Sequence, residues 1–133
     1  MDIPKSWAVS NILVAPGAPR GFTTNLVMTR GALQPGETLE AYVDRQIAEM
    51  AKEMKKFHLR TRESSTLGGQ PAITLRCAWH GTQGPVEQEI TMVVRGAEAI
   101  LFTATVPKNQ ADKTLPLFRA VLGGIRFDDA FTR

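Results

Sequence analysis

Pro71-Ala72-Ile73-Thr74-Leu75-Arg76-Cys77-Ala78-Trp79-His80 decides the fold of this chain. Ile73, Leu75, Cys77 and Trp79 alternate with Ala72, Thr74, Arg76 and Ala78, and a period of two is the mark of a β-strand with two distinct faces. Working outward, Gly81 to Pro85 reads as a turn into a second strand, Val86–Arg95. Gly96-Ala97-Glu98 then turns that strand into a third, Ala99–Val106. On the N-terminal side, Phe57, Leu59 and Thr61 alternate with His58, Arg60 and Arg62, and Gly68-Gly69 supplies a tight turn. Three consecutive hairpin-type connections predict an antiparallel meander from Phe57 to Val106.

The period changes from two to 3.6 just before this run. Leu39, Val43, Ile47, Met50 and Met54 recur at steps of four and three, which predicts a long helix over Thr38–Lys55 with one apolar stripe. Thr38 can cap it, with Glu37 and Glu40 at its positive end and Lys52, Lys55 and Lys56 at its negative end. Pro35-Gly36 separates it from two earlier strands, Trp7–Val14 and Phe22–Thr29. In the second of these, Phe22, Leu26 and Met28 form a core face, while Thr23, Asn25, Val27 and Thr29 are mostly polar. After the meander, a shorter helix within Ala111–Leu122 carries Leu115, Phe118, Val121 and Leu122. Pro116 belongs either to its first turn or to a kink in a longer helix. Gly123-Gly124 ends it, and Ile125–Phe127 can return to the sheet edge. The order ββα-ββββ-α predicts an α+β sandwich with an antiparallel sheet of about six strands.

Composition agrees with one globular domain over residues 1–133. Of 133 residues, 43% are hydrophobic and 22% charged, which is the balance of a packed chain and not of a disordered one. Apolar runs such as Ala99-Ile100-Leu101-Phe102 fall far short of the roughly 18 residues a membrane helix needs. Met1-Asp2-Ile3-Pro4-Lys5 has an acidic second residue and no apolar core, so no export signal is expected. The single cysteine, Cys77, fits a reducing cytoplasm. Sixteen Lys and Arg against thirteen Asp and Glu leave +3, and the densest basic patch, Lys52 to Arg62, is broken by Glu53 and reads as a solvated face. Nucleic acid is not expected as a partner.

Catalytic and metal-ligating patterns are not expected either. Two histidines and one cysteine fall short of a metal set, and Cys77 and His80 point to opposite faces of one strand. No histidine is placed to activate Cys77, which reads as a small core hydrophobe, and His58 as a solvated strand residue. Asp44, Glu49 and Glu53 lie on the polar side of the long helix, and the glycine pairs match no phosphate-cradling motif. The chain reads as a non-enzyme with no catalytic residue, no metal and no cofactor.

The surface left over is more informative. The first strand is apolar on both faces, Trp7, Val9 and Leu13 against Ala8, Ile12 and Val14. Either the second helix covers the additional face, or an apolar concavity stays open for a partner. Met50 and Met54 at the edge of the helical stripe, Gln46 one turn before Met50, and Asn25 and Thr29 on the second strand would suit the second case. Apolar ground carrying Asn, Thr and Gln matches a membrane-type helix with small polar groups of its own. Met at helical spacing is equally the mark of plain core.

Several stretches also carry a resemblance. Ile3-Pro4-Lys5-Ser6-Trp7, Phe22–Arg30, Leu39-Glu40-Ala41-Tyr42-Val43-Asp44-Arg45-Gln46-Ile47 and Thr66-Leu67-Gly68-Gly69-Gln70-Pro71-Ala72 occur here in an order similar to that of the DcrB-related family. Trp79, Leu101–Thr105, Pro116-Leu117-Phe118 and Ile125-Arg126-Phe127 extend the likeness over nearly the whole chain. Within the family it most resembles the Eag-type chaperones of type VI secretion. The resemblance implies a PsbP-like sandwich, usually a homodimer, that grips the N-terminal apolar helices of a secreted toxin effector in the cytoplasm. It also implies help in loading that effector onto the secretion spike, without insertion into the membrane. By position it implies a grip from Ile12 and Val14, Asn25 and Thr29, and Gln46, Met50 and Met54, with a polar contact near Gln88 or Ile90. The alternative is a DcrB-like binding domain of unknown ligand with an envelope-linked role.

Overall fold

The computed structural model describes residues 9–14, 24–82 and 84–125, the first of these segments by its backbone alone. The chain runs β1 (Val9–Val14), β2 (Asn25–Ala32), α1 (Leu39–Glu53), β3 (His58–Leu67), β4 (Gln70–Gly81), β5 (Gly84–Arg95), β6 (Glu98–Pro107), a 3-10 turn at Lys108–Gln110, and α2 (Ala111–Gly123). The strands make one antiparallel six-stranded sheet in the order β1-β2-β6-β5-β4-β3. The α+β order read from the sequence therefore holds. The meander returns β6 to pair with β2, from Asn25↔Thr105 to Ala32↔Glu98. Chain ends read as strand at Trp7–Ala8, Phe22–Thr23 and Arg126–Phe127 lie outside the described residues.

Thr38 caps α1 as expected, its hydroxyl accepting the Ala41 N–H at 3.1 Å. The helix ends two residues earlier than its periodicity suggests, because Met54 is the extended C-cap and Lys56 adopts a left-handed φ of 55°. Tyr42 and Val43 are buried with Ile73, Leu75 and Cys77 of β4, Ile90 and Met92 of β5 and Ala99 of β6. Helix α2 covers the opposite face, where Leu115, Phe118 and Leu122 pack on Leu26, Met28, Phe102 and Val106. Each helix thus buries its own side of the sheet, and β5 is buried on both faces.

Three local readings change. A bulge between Leu59 and Thr61 breaks the expected alternation of β3, pairing Thr61 with Arg76 and Arg62 with Leu75. Arg62 is thereby on the α1 side, where its guanidinium pairs with Asp44 and reaches the Glu40 carbonyl. Pro116 lies in the interior of α2, past the first turn. It is exposed, so water can take the hydrogen bond its missing N–H denies the Asp112 carbonyl. Ile125 joins no strand; it is buried, 3% exposed, under the α2 cluster.

Candidate functional site

The two faces of the sheet are covered unequally. Alternation along β2 and its register with β6 put Leu26 and Met28 on the α2 face and Asn25, Val27 and Thr29 on the α1 face. Leu26 and Met28 are fully buried, whereas Asn25, Val27 and Thr29 stay half-exposed. The reason is the path of α1. At its start Tyr42 lies against Gly31 of β2, so tightly that no β-carbon would fit there. At its end the Lys55 carbonyl accepts the His80 N–H at 2.9 Å, which anchors the chain at β4. Going from β2 to β4, α1 crosses the sheet diagonally and its apolar cluster takes no residue from β2 below Gly31.

The diagonal leaves a wedge-shaped part of this face, at the Asn25 end of β2, outside the apolar cluster of α1. Its floor is Val27 with the amide and hydroxyl groups of Asn25, Thr29, Thr103 and Thr105, and Gln88 of β5 follows in register with Thr105. Gln88 donates from Nε2 to Thr105 Oγ1 at 3.0 Å. Its Oε1 is buried with no partner among the described residues, and so is Nε1 of Trp79, one strand further along the same face. A buried donor or acceptor left unpaired costs about 1–3 kcal/mol, so both groups favour any guest that completes them.

The structure brings only part of the expected set together. Asn25 and Thr29 share the α1 face of β2. Gln46 and Met50 are half-buried on α1, with Met50 against its apolar cluster. Met54 departs from them: as the C-cap it is off the helical stripe, and the Lys55–His80 bond holds that end at β4, three strands from β2. For Ile12 and Val14 the backbone register is the extent of the description. Val14 pairs with Asn25, while Ile12 falls at an irregularity between Asn11 and Leu13 and has no partner. On β5 both expected positions are buried on the α1 face, Ile90 at 4% and Gln88 at 7% exposure, and Gln88 is the polar one of the two. The alternation of β5 puts Gln88, Ile90 and Met92 on one face and so does not separate the first two.

Two other groups belong to the frame of the site. Cys77 is fully buried beneath α1, and burial pushes its thiol up to about 11, a value that suits packing and not nucleophilic attack. Glu37 accepts both Nε and Nη2 of Arg45, at 2.9 and 2.8 Å, and the Gln34 N–H at 3.0 Å. The Arg45 hydrogen bonds, then the Gln34 amide, hold the Glu37 carboxyl at about 2. Arg45 also reaches the Ala32 carbonyl and lies 5.1 Å from the Tyr42 ring centroid, tying the β2–α1 connection together.

The sheet with its two helices is similar to several solved structures at low identity. A Pseudomonas aeruginosa protein of unknown function, PA94, matches with a TM-score of 0.78 and 19% identity, over 92% of this chain and 86% of its own. CyanoP, the cyanobacterial PsbP of Synechocystis, matches at 0.57 and 16%, over 90% and 80%. LpqN of Mycobacterium tuberculosis, described as involved in cell envelope biogenesis, matches at 0.52 and 13%, over 91% and 79%. These likenesses show a PsbP-like fold. Among curated proteins none matches the chain. Among the described residues no helix is long and apolar enough to cross a membrane. The DcrB family matches over residues 1–123, the whole of the sheet and both helices, and the chain belongs to that family.

Proposed function

We propose that this chain is a non-enzymatic chaperone-adaptor that shields an N-terminal transmembrane helix of a type VI secretion effector in the cytoplasm before the effector is loaded onto the spike. The observation that carries the reading is the wedge beside α1, half-exposed at Val27 and edged by Asn25, Thr29, Gln46 and Met50. A free apolar helix of about 20 residues aggregates or inserts into the wrong membrane, so it needs a cover that releases it again. A cover for such a helix must meet small polar groups as well as methyls. The hydroxyls of Thr103 and Thr105, Gln88 Oε1 and Trp79 Nε1 supply that mixture. Met50 adds a side chain able to follow different apolar shapes.

Co-expression with the N-terminal segment of a toxin effector encoded beside this gene, followed by size-exclusion chromatography with light scattering, tests the proposal. The expected product is a complex of two copies of this chain with one segment, the segment being soluble only in its presence. A folded monomer that ignores every such helix overturns it and leaves the envelope-linked binding domain as the reading.

A further inference from the structure

The α2 face carries a second opening, opposite in character to the wedge. Helix α2 packs on β2 and β6 and reaches the outer strands at Leu67, Ala72 and Val93, and beside it a trough remains over β3, β4 and β5. It consists of two hollows of about 870 and 540 Å³ that share Glu63, Thr74, Glu89 and Arg119. Sites for small molecules span roughly 300–1,000 Å³, so either hollow is of ligand size. Measured along β3 from Arg60 to Leu67, the trough is about 23 Å long at the usual strand rise.

Its chemistry is graded along that length. At one end, Arg60 donates through Nε and Nη2 to Glu87, both at 2.8 Å, and Arg76 adds its Nε at 3.2 Å. Two guanidinium groups thus share one carboxylate, and that carboxylate is only 3% exposed. Lys108 and Asp112 line the same end. In the middle, Ser65, Thr74 and Thr91 form a hydroxyl chain across three strands, at 2.9 and 3.2 Å. The two bonds use two of three protons, which leaves one donor and several lone pairs for a guest. Glu89 is neutralised there by Arg119, at 2.6 to 3.1 Å, and Glu63 is exposed at the rim. At the far end Leu67, Leu122 and Ile125 give an apolar base beneath Gly68 and Gly69.

We propose that this trough binds a hydroxylated organic anion of the sugar-acid or sugar-phosphate class, its acid group on Arg60 and Arg76 and its hydroxyls on the Ser65–Thr74–Thr91 rungs. The unequal sharing of Glu87 supplies the place for a second anion, and fork-shaped guanidinium donors suit either carboxylate or phosphate. The rungs and Glu63 reward hydroxyls, which a bare anion lacks.

The test is an NMR titration of the full chain, following backbone amides and arginine Nε–H groups, with glucuronate, a glucose phosphate, glucose and inorganic phosphate as separate probes. Glucuronate or the glucose phosphate is expected to move Arg60, Arg76, Ser65, Thr74 and Thr91 together and to bind about tenfold tighter than glucose. Whichever of the two binds identifies the acid group. Arg76→Gln is expected to remove the preference over glucose, and Thr74→Val to weaken both sugar anions. No shift up to tens of millimolar, shifts outside the trough, or inorganic phosphate binding as tightly as both sugar anions overturns the proposal. The titration of the unaltered chain decides it even where a variant fails to fold.

Discussion

Tyr42 rests on Gly31, and the contact exists because residue 31 has no side chain: a β-carbon there would collide with the tyrosine hydroxyl. This meeting of β2 and α1 fixes the point from which the helix diverges across the sheet, and so the position of the wedge. Gly31→Ala is expected to destabilise the fold by about 1–3 kcal/mol through overpacking. In a Tyr42→Ala background the same substitution should cost less, because the colliding ring is gone. Urea denaturation of the two single variants and the double variant checks the sign of the coupling.

Glu87 and Glu89 are neighbours on one face of β5 with unequal weight. Glu87 is 3% exposed and receives two arginines, whereas Glu89 meets the half-exposed Arg119. Glu87→Ala strands two partly buried guanidinium groups and is expected to cost about 2 kcal/mol. Arg119→Ala removes one half-exposed arginine and leaves Glu89, 10% exposed, without it, and should cost less than the loss of Glu87, about 1 kcal/mol. Comparing the two denaturation midpoints is sufficient, and equal losses would refute the greater weight of the doubly shared carboxylate.

Acid should find Glu37 before neutral pH does. Its carboxyl is depressed from an ordinary 4.5 to about 2 by Arg45 and by the Gln34 N–H. A depressed carboxylate stabilises the fold fully above its unfolded value, and that contribution disappears as pH falls through its folded value. Thermal stability is therefore expected to fall between about pH 4.5 and 2, and Glu37→Gln should flatten that part of the curve.

Native Cys77 should be nearly unreactive. The thiol is fully buried beneath α1 and raised to about 11, so little thiolate is present at neutral pH and none of it is accessible. Labelling with a disulfide reagent is expected to proceed at the rate of unfolding and to become fast only in denaturant. Prompt stoichiometric labelling of the folded chain would contradict its placement under the helix.

Much of this architecture is legible in the residues, and the failures have physical causes. The meander was readable because Ile73, Leu75, Cys77 and Trp79 keep a strict period beside glycine-bearing turns. α1 was readable because its stripe and the Thr38 cap agree. The bulge at Arg60 was not, since Thr61 and Arg62 are both polar and either can face outward. Nor was the end of α1: Met54 continues the spacing of the stripe, and only the left-handed Lys56 and the Lys55–His80 bond show that the helix has stopped. The sharing of Glu87 by Arg60 and Arg76 depends on pairing of β3, β4 and β5, a long-range register that local alternation does not encode. The wedge itself depends on the β2–β6 pairing and on the diagonal of α1, so Asn25 and Thr29 could be named in advance but Gln88 only as one of two neighbours.

The central claim is that an apolar helix occupies the α1 side of β2. Photo-crosslinking tests it most directly, with a photoreactive amino acid in place of Val27 on that face or of Thr74 on the opposite face. With the effector's N-terminal segment co-expressed, the segment is expected to crosslink from position 27 and not from position 74, and Val27→Asp is expected to abolish co-purification while the chain still folds. Crosslinking from position 74 alone, or undiminished capture by Val27→Asp, would contradict the account.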